Sequence, residues 1–249
     1  MNVFFIHAHP VVAAQWQFDQ HNQKMLLEGA QLLSCSAIYH GAPVPDREIP
    51  ASERDYYLPG HAMNHPCAVW ARKTRANWLW LMAHSMAIAE EFAHRRGKRH
   101  ASERVVLFLY QNQQWAPPPG PFTPPPQAIA PSCYHWDTVL AYRRYYVAVK
   151  AHSLKNGPPT WSDRTRIPPW WKRVKRFLRY ARQHFGHTLE DQRTQAYLEQ
   201  WITPLLVENE INQRGDWWLQ NTRRSQAIRT TTHSTTWKLH SDGLWSCPT

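Results

Sequence analysis

Proline constrains the fold of this chain more than any other residue type. The sequence contains 20 prolines, most of them in two stretches: residues 42–66, and residues 116–131, which read APPPGPFTPPPQAIAP. Because proline lacks a backbone N–H and its ring clashes with the preceding helical turn, neither stretch can form a continuous helix or an inner strand. Both are predicted to be loops, and the second is either a stiff surface spacer or a wall beside a functional site.

The segments between these loops predict helices. After a short extended opening at residues 3–6, helix-forming residues and a glycine stop predict a first helix over about residues 11–41. A second helix is predicted from Pro66, which suits a first helical turn, to about Gly97. A third is predicted over residues 137–154. The predicted fold class is therefore mainly α.

Two domains are predicted, with a boundary near residue 171. Residues 1–171 are expected to form a compact helical domain, and residues 172–249 a helical and partly irregular extension. Within the extension we expect a basic amphipathic helix over residues 172–185, another helix over 194–212 and a polar tail over 222–241. The extension is expected to widen a nucleic-acid footprint or to contact a partner.

Charge favours a nucleic-acid partner. The net charge is +11 and the chain has 14 Trp and 10 Tyr, so basic residues are interleaved with aromatic ones. Such a surface offers contacts to both phosphates and bases, and double-stranded DNA is the partner predicted. The four cysteines form no CxxC pair, so neither a metal centre nor another cofactor is predicted. With no export signal and no long apolar stretch, we expect a cytoplasmic protein without a membrane span, in the host cytoplasm if it is phage-encoded.

The first predicted helix carries a narrow polar stripe. At 100° per residue, His21, Lys24, Glu28 and Gln31 line up between two apolar faces, and we expect this stripe to be half-buried. Half-buried charge shifts pKa values toward those that acid/base and amine chemistry need. The alternative is a structural ion pair, although Lys24 and Glu28 stand in the less favourable order and would stabilise an exposed helix by only about 0.2–0.5 kcal/mol. The pattern alone favours neither interpretation.

Other histidines and aromatics give weaker signals. Asn77 and His84 are the polar members of an otherwise apolar stripe on the second helix, and such a histidine is more often a core residue than a ligand. His7 and His9 alternate to one face of an extended segment, but no metal-binding spacing follows them. No metal site is predicted.

Three short motifs resemble the pyrimidine-dimer DNA glycosylases of the phage endonuclease V type. The first is Asp19-Gln20-His21 with Glu28 seven residues after the histidine. The second is NHPCAVW at residues 64–70, and the third is RRGKRHAS at residues 95–102. They occur in the family's order and at similar spacing. The resemblance covers about residues 1–110.

The resemblance implies a compact helical fold and a mechanism. In the family an N-terminal amine attacks C1′ of the damaged nucleotide to give an imine, and Glu28 matches the glutamate that assists. His21 matches a histidine that helps to hold the DNA and the site. The chain begins Met-Asn, which disfavours removal of the methionine, so the amine is predicted to be that of Met1 or that of Lys24. Leu27 and Gly29 replace the arginines that flank the family's glutamate.

The predicted function is that of a DNA glycosylase with abasic-site lyase activity, acting on a damaged or modified pyrimidine. Its alternatives are a base-modifying transferase or hydrolase on the same scaffold and a nucleic-acid-binding protein without catalysis. Lys73, Arg95 and Arg96 are further candidates for phosphate binding, and Trp78, Trp80, Tyr142, Tyr145 and Tyr146 for stacking, although most such aromatics are core residues. The residues predicted to bind nucleic acid are Asp19, Gln20, Asn64, His65, Trp70, Arg72, Arg75, Asn77, His84, Lys98, Arg99, His100 and Arg143.

Overall fold

A computed structural model of the chain describes residues 1–155, 157–174, 196 and 198–207, together with the backbone of three short strands nearer the C-terminus. Two compact units are distinguished, Met1–Val207 and Glu208–Thr249. The first unit is mainly helical, as predicted. It extends past residue 171, the predicted domain boundary. Most of the predicted basic helix, part of the helix predicted over 194–212 and most of the polar tail lie outside the described residues.

The helices of the first unit follow the proline pattern of the sequence. Residues 42–59 and 116–130, which hold most of the prolines, form no helix. Short 3-10 turns occur at Gly60–Asn64, Gln113–Trp115, Pro131–Cys133 and Arg164–Arg166. The α-helices up to residue 145 are α1 (Pro10–Gln15), α2 (Asp19–Tyr39), α3 (Pro66–Ala71), α4 (Arg75–Arg96), α5 (Glu103–Gln111) and α6 (Thr138–Tyr145).

Three further helical segments complete the first unit. Helix α6 continues directly as the π-helix Tyr146–Lys150, residues 169–174 are helical, and the π-helix Leu198–Ile202 leads into a short α-helix at Thr203–Leu206. In the second unit, Ala227–Ile228, Trp237–Leu239 and Trp245–Ser246 form an antiparallel sheet in which Lys238 pairs with both Ala227 and Ser246. No helix among the described residues is long and apolar enough to cross a membrane.

Two long helices predicted from the sequence are each divided. The first breaks at residues 16–18, where the backbone N–H of Phe18 donates to the Tyr146 hydroxyl at 2.8 Å. The second breaks at residues 72–74, where the Thr74 side chain caps α4 by accepting from the N–H of Asn77. Both breaks depend on tertiary contacts or caps that helical periodicity does not register. Helix α5 was not predicted at all, although it is amphipathic.

Helix α2 packs against α4, and a glycine permits their close approach. A Cβ atom on Gly29 would overlap the hydroxyl oxygen of Ser85 on α4. Gly29 directly follows Glu28, so the close contact of α2 with α4 also fixes the position of Glu28 along and around the α2 axis. Leu26, Leu32 and Leu33 are fully buried on the same helix. One of the two apolar faces predicted for this helix is thus its core face.

The proline-rich loop 116–131 is held against the start of α4. Thr123 exchanges hydrogen bonds with Asn77, donating its N–H to the amide oxygen at 2.8 Å, and its carbonyl accepts from the Trp70 indole at 2.7 Å. The Thr74 hydroxyl donates to the carbonyl of Pro121 at 3.0 Å. These bonds fix a segment that cannot form its own ladder of backbone bonds. The loop is therefore an ordered wall of the unit.

Arg95 closes the break between α1 and α2. Its side chain is only 1 % exposed, and its guanidinium donates to the carbonyls of Gln15 and Gln17, to Asp19 at 3.1 Å and to Glu91 at 3.0 Å. A guanidinium matches this set because it presents several donors in a fixed plane. Phosphate binding, predicted for Arg95 from sequence, is incompatible with this burial.

Replacing Arg95 by methionine is expected to lower the free energy of unfolding by about 3–5 kcal/mol, because the carbonyls of Gln15 and Gln17 lose this donor and the carboxylates of Asp19 and Glu91 each lose a charged partner. Urea unfolding followed by circular dichroism measures the change. The same substitution at the exposed neighbour Arg96, whose guanidinium reaches the carbonyl of Asp19 at 3.4 Å, should cost less than about 1 kcal/mol. Equal losses for the two variants would contradict the role given to Arg95.

Candidate active site

A cavity of about 350 Å³ lies where α2, the start of the chain, the proline-rich loop and the π-helix after α6 meet. All four residues predicted from sequence to be catalytic line it, together with His65 from the predicted nucleic-acid-binding set. Six further residues complete the wall. The lining is Met1, Asn2, Phe4, His21, Lys24, Met25, Glu28, His65, Ala128, Tyr145 and Lys150.

Glu28 is the carboxylate of this cavity. It is 8 % exposed, and its Oε2 accepts a hydrogen bond of 2.8 Å from the backbone N–H of Asn2. Its other oxygen, Oε1, lies 3.4 Å from the Lys24 ammonium, whose side chain is 74 % exposed at the rim. The polar stripe predicted for the first helix is therefore buried at His21 and Glu28 and open to solvent at Lys24.

The first residues of the chain are locked in place by Asn2. Its buried side chain accepts from the N–H groups of Val3 and Phe4 and donates to the carbonyl of Ala128 at 2.9 Å. The predicted extended opening is instead a tight turn, because Phe4 has a φ of 45°, in the left-handed region that non-glycine residues rarely adopt. This turn carries Met1 into the cavity beside Glu28.

His21 is held between aromatic rings as a neutral base. Its ring stacks on Phe4 with centroids 4.9 Å apart, and its Nδ1 shares a hydrogen bond of 2.9 Å with the hydroxyl of Tyr146. Burial, with Lys150 and Lys24 adding positive charge nearby, lowers the pKa of His21 to about 3. At neutral pH His21 is therefore an uncharged part of the cavity wall.

Lys150 was missed by the sequence analysis, which treated residues 137–154 as an ordinary helix. It ends the π-helix, and its ammonium lies over the rings of Tyr145 at 5.2 Å and Phe4 at 5.9 Å. Burial, and then the charge of Lys24, lowers the pKa of Lys150, while Glu28 opposes the shift. The sequence signal was a basic residue four and five positions after two tyrosines. It points to the cavity only when the π-helix is known.

His65 lines the cavity from the start of α3. It caps α3 by accepting from the N–H of Cys67 at 3.2 Å, so its ring orientation is fixed. Burial, followed by the charge of the Met1 amine, lowers the pKa of His65, and Glu28 opposes this. Met1 and His65 both line the cavity. Asn64, the preceding residue of the NHP motif, is exposed.

Four residues predicted to bind nucleic acid are buried in the first unit, which corrects that prediction. Asn77 binds the proline-rich loop, Trp70 packs beneath it, and His84 lies between Gln17 and the carbonyl of Pro10 at 2.9 Å. Arg143 donates to the carbonyls of Ile6 and Leu206. Of the predicted stacking aromatics, Tyr145 alone lines the cavity, and the others are core residues: Trp70, Trp78, Trp80, Tyr142 and Tyr146.

The other predicted nucleic-acid contacts have structural partners or are exposed. Asp19 and Gln20 bind the loop at residues 158–162, and Arg72 reaches the carbonyl of Met63 at 2.6 Å. Arg75 donates to Gln113, and Arg99 pairs with Glu90 and Glu103. His100 accepts from the N–H of Ser102 and contacts the ring of Phe92. Lys73, Arg96 and Lys98 are exposed. The cavity is thus where the predicted catalytic set, but not the predicted binding set, comes together.

His21 should stay neutral at pH values well below the usual pKa of a histidine. Because its pKa is lowered in the folded protein and ordinary in the unfolded one, folding stability at pH 7 is unaffected and falls as the pH drops below about 6.5, by up to about 1.4 kcal/mol per pH unit. Histidine ring NMR between pH 7.5 and 4.5, assigned with a His21→Gln variant, should show no titration of this ring. A midpoint between pH 6 and 7 would contradict its described environment.

No protein-family model, curated protein or solved structure matches the chain. The case for a functional site therefore rests on the cavity itself.

Proposed function

We propose that this protein acts on a damaged or modified pyrimidine in double-stranded DNA, as an N-glycosylase with abasic-site lyase activity. The observation that supports this most is the pairing of one buried carboxylate, Glu28, with amines in a single cavity. The amines are those of Met1, Lys24 and Lys150. Imine chemistry at a sugar carbon needs these two types of group, an amine to bond with C1′ and a carboxylate to handle charge and protons.

The reaction divides into steps that suit the groups present. An amine attacks C1′, the bond from C1′ to the base breaks, and the base leaves with the electron pair and takes up a proton. Glu28 stabilises the positive charge that develops on the sugar. After the ring opens to an imine, a base removes a proton from C2′ and the 3′-phosphate leaves by β-elimination. We assign that proton to Glu28, the buried carboxylate of the cavity, whose oxygens lie beside the Asn2 N–H and the Lys24 ammonium.

Size and charge are also consistent with the proposal. A cavity of about 350 Å³ falls in the range of small-ligand sites and can receive an extruded nucleotide more readily than a duplex. The net charge of +11 favours association with a polyanion. Tyr145, which is half-buried in the wall beside Lys150, supplies aromatic surface against which a base can pack.

Changing Glu28 to glutamine should separate catalysis from folding. The amide oxygen of glutamine can still accept from the Asn2 N–H, so the turn at the start of the chain is retained, but the negative charge is lost. Strand cleavage of an abasic duplex and release of base from an irradiated duplex should both fall by about 100-fold or more. Gel assays with labelled duplexes measure both activities.

The matched control is Glu53→Gln, which makes the same change at an exposed residue of the loop at 42–59. It should leave both activities unchanged. If the wild-type protein binds duplex DNA but neither cleaves it nor forms a borohydride-stable adduct, the glycosylase proposal fails. A base-modifying enzyme or a binding protein would then be the better description.

A further inference from the structure

We propose that Lys150 is the amine that bonds to the sugar, with Glu28 facing it across the cavity. This inference rests on the proposed function, because it names the nucleophile of that same reaction. Three amines line the cavity, and they differ in solvation, in mobility and in their neighbours.

Lys24 is the least suited of the three. Its side chain is 74 % exposed and lies 3.4 Å from the Glu28 carboxylate. An amine that is exposed at the rim and paired with a carboxylate must leave both settings before it can bond to a sugar carbon inside the cavity. Its position at the rim suits it instead to hold a phosphate of the bound strand.

The Met1 amine is close to Glu28 but tightly tethered. The adjacent peptide N–H is bound to the carboxylate at 2.8 Å, and the Asn2 side chain fixes the turn that follows. An imine nucleophile must follow C1′ as the sugar ring opens. The hydrogen bonds of Asn2 hold the backbone next to the Met1 amine and allow little such movement.

Lys150 combines partial burial with a flexible stem. The amine lies over the faces of Tyr145 and Phe4, and the next residue closes the π-helix, with the N–H of Ala151 donating to the carbonyl of Tyr146 at 3.0 Å. The ammonium forms no ion pair with any described residue. Burial and the nearby charge of Lys24 lower the pKa of Lys150, so a larger share of it is neutral near pH 7.

The chemistry balances with water as the additional reactant. The lone pair of the Lys150 amine forms the bond to C1′, the C1′–base bond breaks, and the base departs with the electron pair and a proton. The amine loses a proton, the bond from C1′ to the ring oxygen opens, and that oxygen gains a proton, leaving an imine. Water hydrolyses the imine after elimination and restores the lysine.

Borohydride trapping locates the nucleophile. The full chain is mixed with an abasic duplex and reduced, and the adduct is digested and mapped by tandem mass spectrometry. The sugar remnant should be found on Lys150. In Lys150→Arg, which keeps the positive charge but cannot form the imine, the trapped yield should fall by about 100-fold, while duplex affinity changes by less than about threefold.

Lys155→Arg serves as the control, since it makes the same change at an exposed lysine outside the cavity, and it should trap as well as the wild-type protein. An adduct mapped to Met1 or Lys24 overturns the assignment to Lys150 and leaves the glycosylase proposal standing. A wild-type protein that gives no adduct overturns both. Unchanged trapping in Lys150→Arg, with circular dichroism showing a folded protein, also overturns the assignment.

Discussion

The hydrogen bond from the Asn2 N–H to the Glu28 carboxylate is the contact on which the candidate site depends. It joins the first residues of the chain to the middle of α2 at 2.8 Å and satisfies one oxygen of a buried carboxylate. A buried carboxylate is costly unless it is hydrogen-bonded and near positive charge, and this cavity supplies both. The turn at Phe4 and the bond from Asn2 to the proline-rich loop follow from keeping that contact.

The aromatic residues around this contact set its electrostatics. Phe4 and Tyr145 line the cavity and Tyr146 packs behind His21, so these rings bury His21 and partly bury Lys150. A low-polarity wall disfavours positive charge on both groups, and its effect is larger because Lys24 and Lys150 already repel each other. Glu28 opposes the effect at Lys150. Amine chemistry near neutral pH requires such a balance, in which a lysine is neither fully solvated nor neutralised by a tight ion pair.

Sequence reasoning found much of this site because helical periodicity places His21, Lys24 and Glu28 on one stripe, and that spacing depends only on local geometry. It also located the proline-rich loops, because the effect of proline on a helix or strand is local as well. The parts it missed depend on distant contacts: the breaks in both long helices, the turn at Phe4, and Lys150, which reaches the cavity only because α6 continues as a π-helix. Residues predicted to bind DNA from charge and aromaticity alone, such as Arg95 and Trp70, are buried in the core, since composition carries no information about which face a side chain occupies.

The central claim is that a sugar carbon of DNA bonds to an amine in this cavity while Glu28 lies beside it. The most direct test is a crystal structure of the borohydride-reduced complex with an abasic duplex. The account predicts continuous density from C1′ to an amine of the cavity, with the Glu28 carboxylate within hydrogen-bond distance of the sugar. A complex in which the DNA lies elsewhere on the protein, with the cavity empty and Glu28 still bound only to Asn2 and Lys24, would contradict it.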